Sequence, residues 1–235
     1  MCHVRGFLDR IRAAFEPSPD RDVLVYLGAH RGKGLSKICG RYRRIFCFEA
    51  NPLMASKLRR RFAWRKNVEV VHAAVTGFDG TVNFNVSSRN AAASSIGTFD
   101  ADLPGVRSGE LSVVRSIEVP SVDLDRFLRD RGVTRISAYV SDIQGLDLTV
   151  LKTLADWIRS GRIDEITSEV AKSRNPYADL PDNSLKGFEE LLGADYELVA
   201  QGWSVLEDGV FRPPEGYWEM DCRWRLRPPG VSVSD

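Results

Sequence analysis

Gly28, Gly32 and Gly34 follow the apolar run VLVYL, with His30, Arg31 and Lys33 set between them. Glycine lets a backbone approach a ligand closely, and a helix starting behind such a turn offers free N–H groups. Twenty-one residues after Gly28 an acid, Glu49, closes a second apolar run, RIFCF. A carboxylate at that point accepts paired hydrogen bonds from the vicinal hydroxyls of a ribose. The glycine spacing then selects among nucleosides. In G-x-G-x-x-G the second glycine makes room for a pyrophosphate; here His30 takes that place and the next glycine is Gly32. Crowding of this kind disfavours a nicotinamide-linked oxidoreductase. It suits a nucleoside without a phosphate chain, of which S-adenosyl-L-methionine is the commonest cofactor.

The elements that must position these residues follow from the pattern of apolar residues. VLVYL and RIFCF read as buried strands, each followed by a turn and a helix, the second helix opening at Pro52, where proline is tolerated. VEVVHAAV, 68–75, is a third strand. Strand, helix, strand, helix, strand is the rhythm of a parallel sheet with right-handed crossovers. TVNFNV alternates as a strand or hairpin arm, and 87–109 is polar and small, a long loop of the kind that carries function. Beyond it come a strand ending at Ser141, one amphipathic helix over 146–161 and a fifth strand over 163–170. A helix over 183–193 precedes two alternating runs suited to an antiparallel sheet edge. The predicted fold is α/β: a doubly wound, mainly parallel sheet with helices on both faces and an antiparallel C-terminal edge. In such a sheet ligands sit outside the strands' carboxyl ends, so 28–34, 49–51, 73–75 and 141–145 are predicted to line one crevice.

Length and composition bound the function. The 235 residues are predicted to form a single domain, with an N-terminal helix and linker over 1–20 and a tail over 226–235. Phe7, Leu8, Ile11 and Phe15 share one helical face, which either rests on a membrane surface or covers the sheet. A net charge of +1 argues against nucleic acid held mainly by phosphate neutralisation and for a small partner. No apolar run reaches the length of a membrane span, and four scattered cysteines suggest neither a disulfide framework nor a metal, so a cytoplasmic location is expected. Asp100, Asp102, Asp123 and Asp125 make no close carboxylate cluster on strand ends, so no metal is expected. Arg59, Arg60 and Arg61 read as a solvated helix face or a phosphate contact. Trp203, Tyr217 and Trp218 read as edge-strand core or a sugar-stacking wall. Nothing in the sequence speaks to oligomeric state.

Several segments together resemble the FkbM family of S-adenosylmethionine-dependent methyltransferases: LGAHRG (27–32), FEANP (48–52), AAVTGFDG (73–80), ASSI (93–96), VDLDRFL (122–128) and SDIQGLDLTVL (141–151). The resemblance implies a class I methyltransferase fold and methyl transfer to a hydroxyl, often of a sugar or secondary metabolite. By position it implies that Gly28, Ala29 and Gly32 cradle the methionine part, with His30 beside them. Glu49 would take the ribose, flanked by Ala50 and Asn51, while Ala73 or Ala74 would meet the adenine and Ser95 would close over the cofactor. Three residues depart from the family pattern. Tyr26 stands in place of an acid, His30 in place of an asparagine and Val140 in place of a lysine.

Methyl transfer requires alignment and the removal of one proton. Asp142, at a strand end, reads as the general base or as a partner of the cofactor ammonium, with Gln144 orienting acceptor or cofactor. His30 reads as a second base or as a stand-in for asparagine. His72 reads as structural, and Glu169 as an acceptor ligand or a hydrogen-bonded strand-end acid. The departures at Tyr26 and Val140 motivate the rival reading, a catalytically inactive nucleoside-binding module that serves as a partner or regulatory domain.

Overall fold

The structure, a computed structural model, describes residues 21–88, 93–172, 175–202 and 219–228. The apolar face of Phe7, Leu8, Ile11 and Phe15, the aromatics Trp203, Tyr217 and Trp218, and residues 229–235 of the expected tail lie outside the described residues.

A seven-stranded sheet organises the chain. Its strands are β1 (Val23–Leu27), β2 (Arg44–Phe48), β3 (Val68–Val71), β7 (Ala138–Ser141), β8 (Glu165–Ala171), β9 (Tyr196–Gly202) and β10 (Glu219–Leu226), in the order β3-β2-β1-β7-β8-β10-β9. The first five run parallel, and β10 pairs antiparallel with both β8 and β9. The strand order reverses between β1 and β7, the switch point at which open α/β sheets bind ligands.

The period of two along each strand divides the core. Leu24 and Tyr26 of β1, Ile45 and Cys47 of β2, and Ala138 and Val140 of β7 face one layer. It is closed by α1 (Lys33–Ile38) and α2 (Pro52–Phe62) through Leu35, Leu58 and Phe62. Val25, Leu27, Phe46, Phe48 and Tyr139 face the other layer. There α4 (Leu124–Asp130), α5 (Asp147–Thr153), α6 (Ala155–Arg159) and α7 (Leu185–Leu192) supply Leu128, Leu151, Trp157 and Phe188. Side-chain caps start three of these helices: Asn51 accepts from Leu53 N (3.0 Å), Asp123 from Arg126 N (3.1 Å) and Ser184 from Gly187 N (3.3 Å).

Two expected elements are divided. The strand expected over 68–75 leaves the main sheet after Val71. His72 turns so that its Nε2 lies 3.1 Å from the Ala50 carbonyl oxygen, and β4 (Ala74–Val75) joins a second sheet, β4-β6-β5, with β5 (Gly80–Ser87) and β6 (Val113–Val122). The helix expected over 146–161 breaks at the fully buried Leu154, whose N–H bonds three residues back to Leu151 O (3.0 Å) before Gly161 ends the pair at φ 60°. Part of the expected loop 87–109 is ordered by a pairing of Asn85 with Ser95 and by α3 (Pro104–Arg107). Among the described residues no helix is long and apolar enough to cross a membrane.

Candidate functional site

The carboxyl ends of β1, β2 and β7, together with the β4 turn, line a crevice that opens to solvent. Gly28 forms its floor. At φ 71° this residue is left-handed, and a Cβ there would overlap the Asp142 carbonyl oxygen, so only glycine lets β1 and the β7 turn approach this closely. Ala73, Ala74, Val75, Phe48, Phe84 and Ile96 give the crevice an apolar wall.

Glu49 lies on the polar side, 7% exposed. Its Oε2 accepts from His30 N (2.7 Å) and its Oε1 from Asn51 N (2.8 Å), which fixes the carboxylate and leaves each oxygen a lone pair for a further donor. Burial pushes its carboxyl up to about 7 against the pull of those two N–H groups, and Asp142 adds repulsion. A fixed carboxylate with two free lone pairs, a glycine floor and an apolar slot together match an adenosyl group bearing vicinal hydroxyls.

Beyond the floor, Gln144 organises a second group of side chains. Its backbone is left-handed at φ 60°, as is that of His30 at φ 48°, conformations uncommon outside glycine and concentrated at functional sites. Ser95 Oγ donates to the Gln144 carbonyl (2.8 Å) and the Tyr177 hydroxyl donates to Oε1 (2.9 Å). The amide Nε2 donates to Asp142 Oδ1 (2.7 Å) and to Glu169 Oε2 (2.6 Å), bridging two carboxyls. Asp142 opens to the water of the crevice while protein crowds its other sides, and that crowding raises its carboxyl. Glu169, half-buried on β8, is raised well above the usual range by burial and then by Asp142, Glu219, Asp147 and Asp221. Beneath both, the fully buried Asp147 accepts from the Ser141 hydroxyl, Ile143 N (3.0 Å) and Gly145 N (3.3 Å), which holds the turn after β7 in shape. Burial moves its carboxyl up to about 7.

Of the residues singled out in the sequence, Gly28, His30, Glu49, Ala50, Ala73, Ala74, Asp142 and Gln144 line the crevice. The others stand behind it. Ala29 is buried in the core beneath α1, and Gly32 caps α1 against Leu58 and Phe62. Asn51 spends its side chain on capping α2, and Glu169 sits behind Gln144. Ser95 is 1% exposed and turned to Gln144, so it is Ser94 that reaches the wall. Tyr26 and Val140 are register neighbours across β1 and β7, with side chains in the core under α1 and α2, away from the crevice lining. Tyr177 and Asp147 are additions. Asp147 lies within the quoted segment SDIQGLDLTVL, whereas Tyr177 comes from a stretch with no periodic or motif signal.

A switch-point crevice with a fixed carboxylate, on a sheet ordered 3-2-1-7-8-10-9, defines a class I methyltransferase fold. The chain belongs to the FkbM methyltransferase family: residues 27–184 match the methyltransferase FkbM domain, whose methyl donor is S-adenosyl-L-methionine. The crystal structure of the methyltransferase FkbM from Methylobacillus flagellatus KT is 16% identical with a TM-score of 0.53, over 88% of this chain and 44% of that one. An rRNA methylase structure from Streptococcus thermophilus is 10% identical with a TM-score of 0.46, over 91% of this chain and 90% of that one. A probable ribosomal RNA small subunit methyltransferase A of Methanosarcina mazei is 35% identical over 66 residues, 28% of this chain and 24% of the relative. The chain thus spans under half of the FkbM structure and matches about a quarter of the curated relative.

That relative corrects the expected partners. A restriction to small-molecule or glycan acceptors, with nucleic acid excluded, does not hold beside a relative named for ribosomal RNA. The exclusion rested on the net charge of +1, a sum that hides how charge is distributed: residues 31–66 carry twelve Lys or Arg and one acid.

Proposed function

We propose that this chain transfers a methyl group to a hydroxyl oxygen, with the Asp142 and Glu169 carboxyls receiving the hydroxyl proton. The observation that carries this reading is the Gln144 amide bridging Asp142 and Glu169 at 2.7 and 2.6 Å beside the crevice. Bound S-adenosyl-L-methionine supplies an electrophilic methyl group, so the protein has to hold an acceptor in line and take one proton. Glu49, Gly28 and the wall around Ala73 and Ala74 would hold that cofactor.

Asp142, open to the crevice, is the group an acceptor hydroxyl can reach. Two close carboxyls with raised pKa values hold a proton between them more readily than either would alone, and a base poised this way works nearer neutrality than an ordinary carboxylate. Gln144, donating to both, orients them. A sugar hydroxyl is the acceptor that the family resemblance suggests. The ribose 2′-hydroxyl of RNA is also a sugar hydroxyl, and the Methanosarcina mazei relative brings polynucleotides into the range to be tested. Because Tyr26 and Val140 lie in the core and leave the crevice lining intact, they lend little weight to the inactive binding module.

The test is methyl transfer from labelled cofactor to a panel of RNA, oligosaccharides and polyols, with the product bond located by mass spectrometry. The expected result is an O-methylated product whose rate falls about a hundredfold in Asp142→Asn, with the affinity for S-adenosylhomocysteine kept within a few-fold. Binding of that compound without transfer to any hydroxyl would overturn the reading in favour of the binding module.

A further inference from the structure

The segment 31–66 holds twelve Lys or Arg against the single acid Glu49, in a chain whose net charge is only +1. Eleven of the twelve are exposed; the exception is Arg65. Because α1 and α2 cover the same side of the sheet, the fold gathers the cations of these two helices on one face, whereas Arg44 lies over Phe46 on the other. Lys33, Lys57, Arg59, Arg60 and Lys66 make no ion pair among the described residues. Gathering like charges in this way opposes folding, and a polyanion relieves it.

Two further features give the face a direction. Arg61 Nη1 donates to the Arg31 carbonyl (2.6 Å), tying the end of α2 to the loop whose Gly28 and His30 line the crevice. Arg61 thereby sits beside the loop that leads into the crevice, and the cations of α2 run from Lys57 to its C-terminal end. Just past that helix Trp64 is 62% exposed, with the Arg65 guanidinium 4.4 Å from its ring centre. It follows Lys57, Arg60 and Arg61 at helical spacing, i, i+3, i+4 and i+7.

We propose that this face binds RNA, with phosphates of an unpaired stretch lying along Arg59, Arg60 and Lys57 and a base stacked on Trp64. Guanidinium groups pair with phosphate oxygens two at a time, and an indole accepts the flat side of any base. A lipid surface fits less well. Leu53 and Trp64, the exposed apolar side chains of this region, stand at opposite ends of α2, about 16 Å apart by helical rise, and form no continuous stripe. The binding surface does not depend on the methyl-transfer reading, since RNA can dock on it whether or not a methyl group moves.

The experiment is fluorescence anisotropy of a labelled RNA hairpin with an unpaired loop, using the full chain with S-adenosylhomocysteine present. The double variant Arg59→Glu/Arg60→Glu is expected to weaken binding at least about tenfold and to lower the slope of log affinity against log salt by about 1.4, the share of two phosphate contacts on a single strand. Trp64→Ala is expected to lose about tenfold with the salt slope unchanged. Lys152→Glu/Lys186→Glu removes the same charge from exposed positions outside 31–66 and is expected to stay within about twofold. All variants should retain calorimetric affinity for S-adenosylhomocysteine, which separates loss of the face from loss of the fold. Equal weakening by both charge reversals, no binding by the unaltered protein, or binding to phosphatidylglycerol vesicles in place of RNA would each overturn the proposal.

Discussion

If Glu49 holds the cofactor as proposed, cofactor affinity should depend on pH in a range where most carboxylates are silent. Its carboxyl, raised to about 7 by burial, is part-protonated at neutrality, and only the ionised form offers both oxygens fully to vicinal hydroxyls. Binding should therefore strengthen as pH rises. Calorimetry with S-adenosylhomocysteine should show roughly tenfold tighter binding at about pH 8 than at about pH 6. Glu49→Ala should reduce affinity by at least about a hundredfold, because two charge-assisted hydrogen bonds disappear together. An affinity flat across that range would show that the ribose is held elsewhere. The proposed base predicts a separate pH effect: with Asp142 raised by burial, kcat should climb with pH through a higher range than an ordinary carboxylate gives, and Glu169→Ala, which removes a hydrogen-bond partner that lowers Asp142, should move that rise upward.

At the scale of elements, the crevice wall depends on how the second sheet is fastened to the first. Asn85 of β5 exchanges backbone bonds with Ser95 (2.8 and 3.2 Å), and its Nδ2 donates to the Gly97 carbonyl (2.9 Å), which sets Ser94 and Ile96 in the wall. Asn85→Ala should leave this segment loose, raising KM for the cofactor about tenfold while kcat changes little, because the carboxyl pair stands on β7 and β8. An equal fall in kcat would mean that the segment also positions the reacting groups. None of this fastening was legible in the sequence. TVNFNV announces a strand by its alternation, but which polar side chain holds a neighbouring loop depends on tertiary contacts that leave no period. The parallel strands were legible because burial on both faces gives unbroken apolar runs such as VLVYL, and the glycine floor was legible because backbone approach excludes a side chain. The division of 68–75 and the break at Leu154 were hidden because continuous apolar residues look alike whether the chain goes straight on or turns, and the role of Tyr177 because the tertiary contact of one hydroxyl leaves no pattern in a polar stretch.

Over the whole molecule, the buried carboxyls that build the site set how stability varies with pH. Glu49 and Asp147 are each raised to about 7 from ordinary values of 4.5 and 3.8, and Asp142 and Glu169 are raised as well. Above its ordinary value the unfolded chain releases these protons while the folded chain retains them. For Glu49 and Asp147 this contribution is complete below about pH 4 and is lost as pH climbs toward 7, each of the two giving up about 1.4 kcal/mol for every pH unit crossed in that window, while Asp142 and Glu169 act in the same direction. Asp125, lowered by Arg129 and Trp157 against the opposing effect of burial, acts in the opposite sense but is largely exposed, so it offsets little. The melting temperature of the cofactor-free protein should thus fall between about pH 5 and about pH 7.5, against the usual expectation of a maximum near neutrality. Glu49→Gln, which cannot ionise, should flatten that decline while still losing cofactor affinity, so that the same substitution eases the fold and disables the site. A melting temperature that rises steadily to pH 7.5, or a decline that Glu49→Gln leaves untouched, would show that water reaches these carboxylates freely. The crevice would then lack the partial desolvation that raises Glu49.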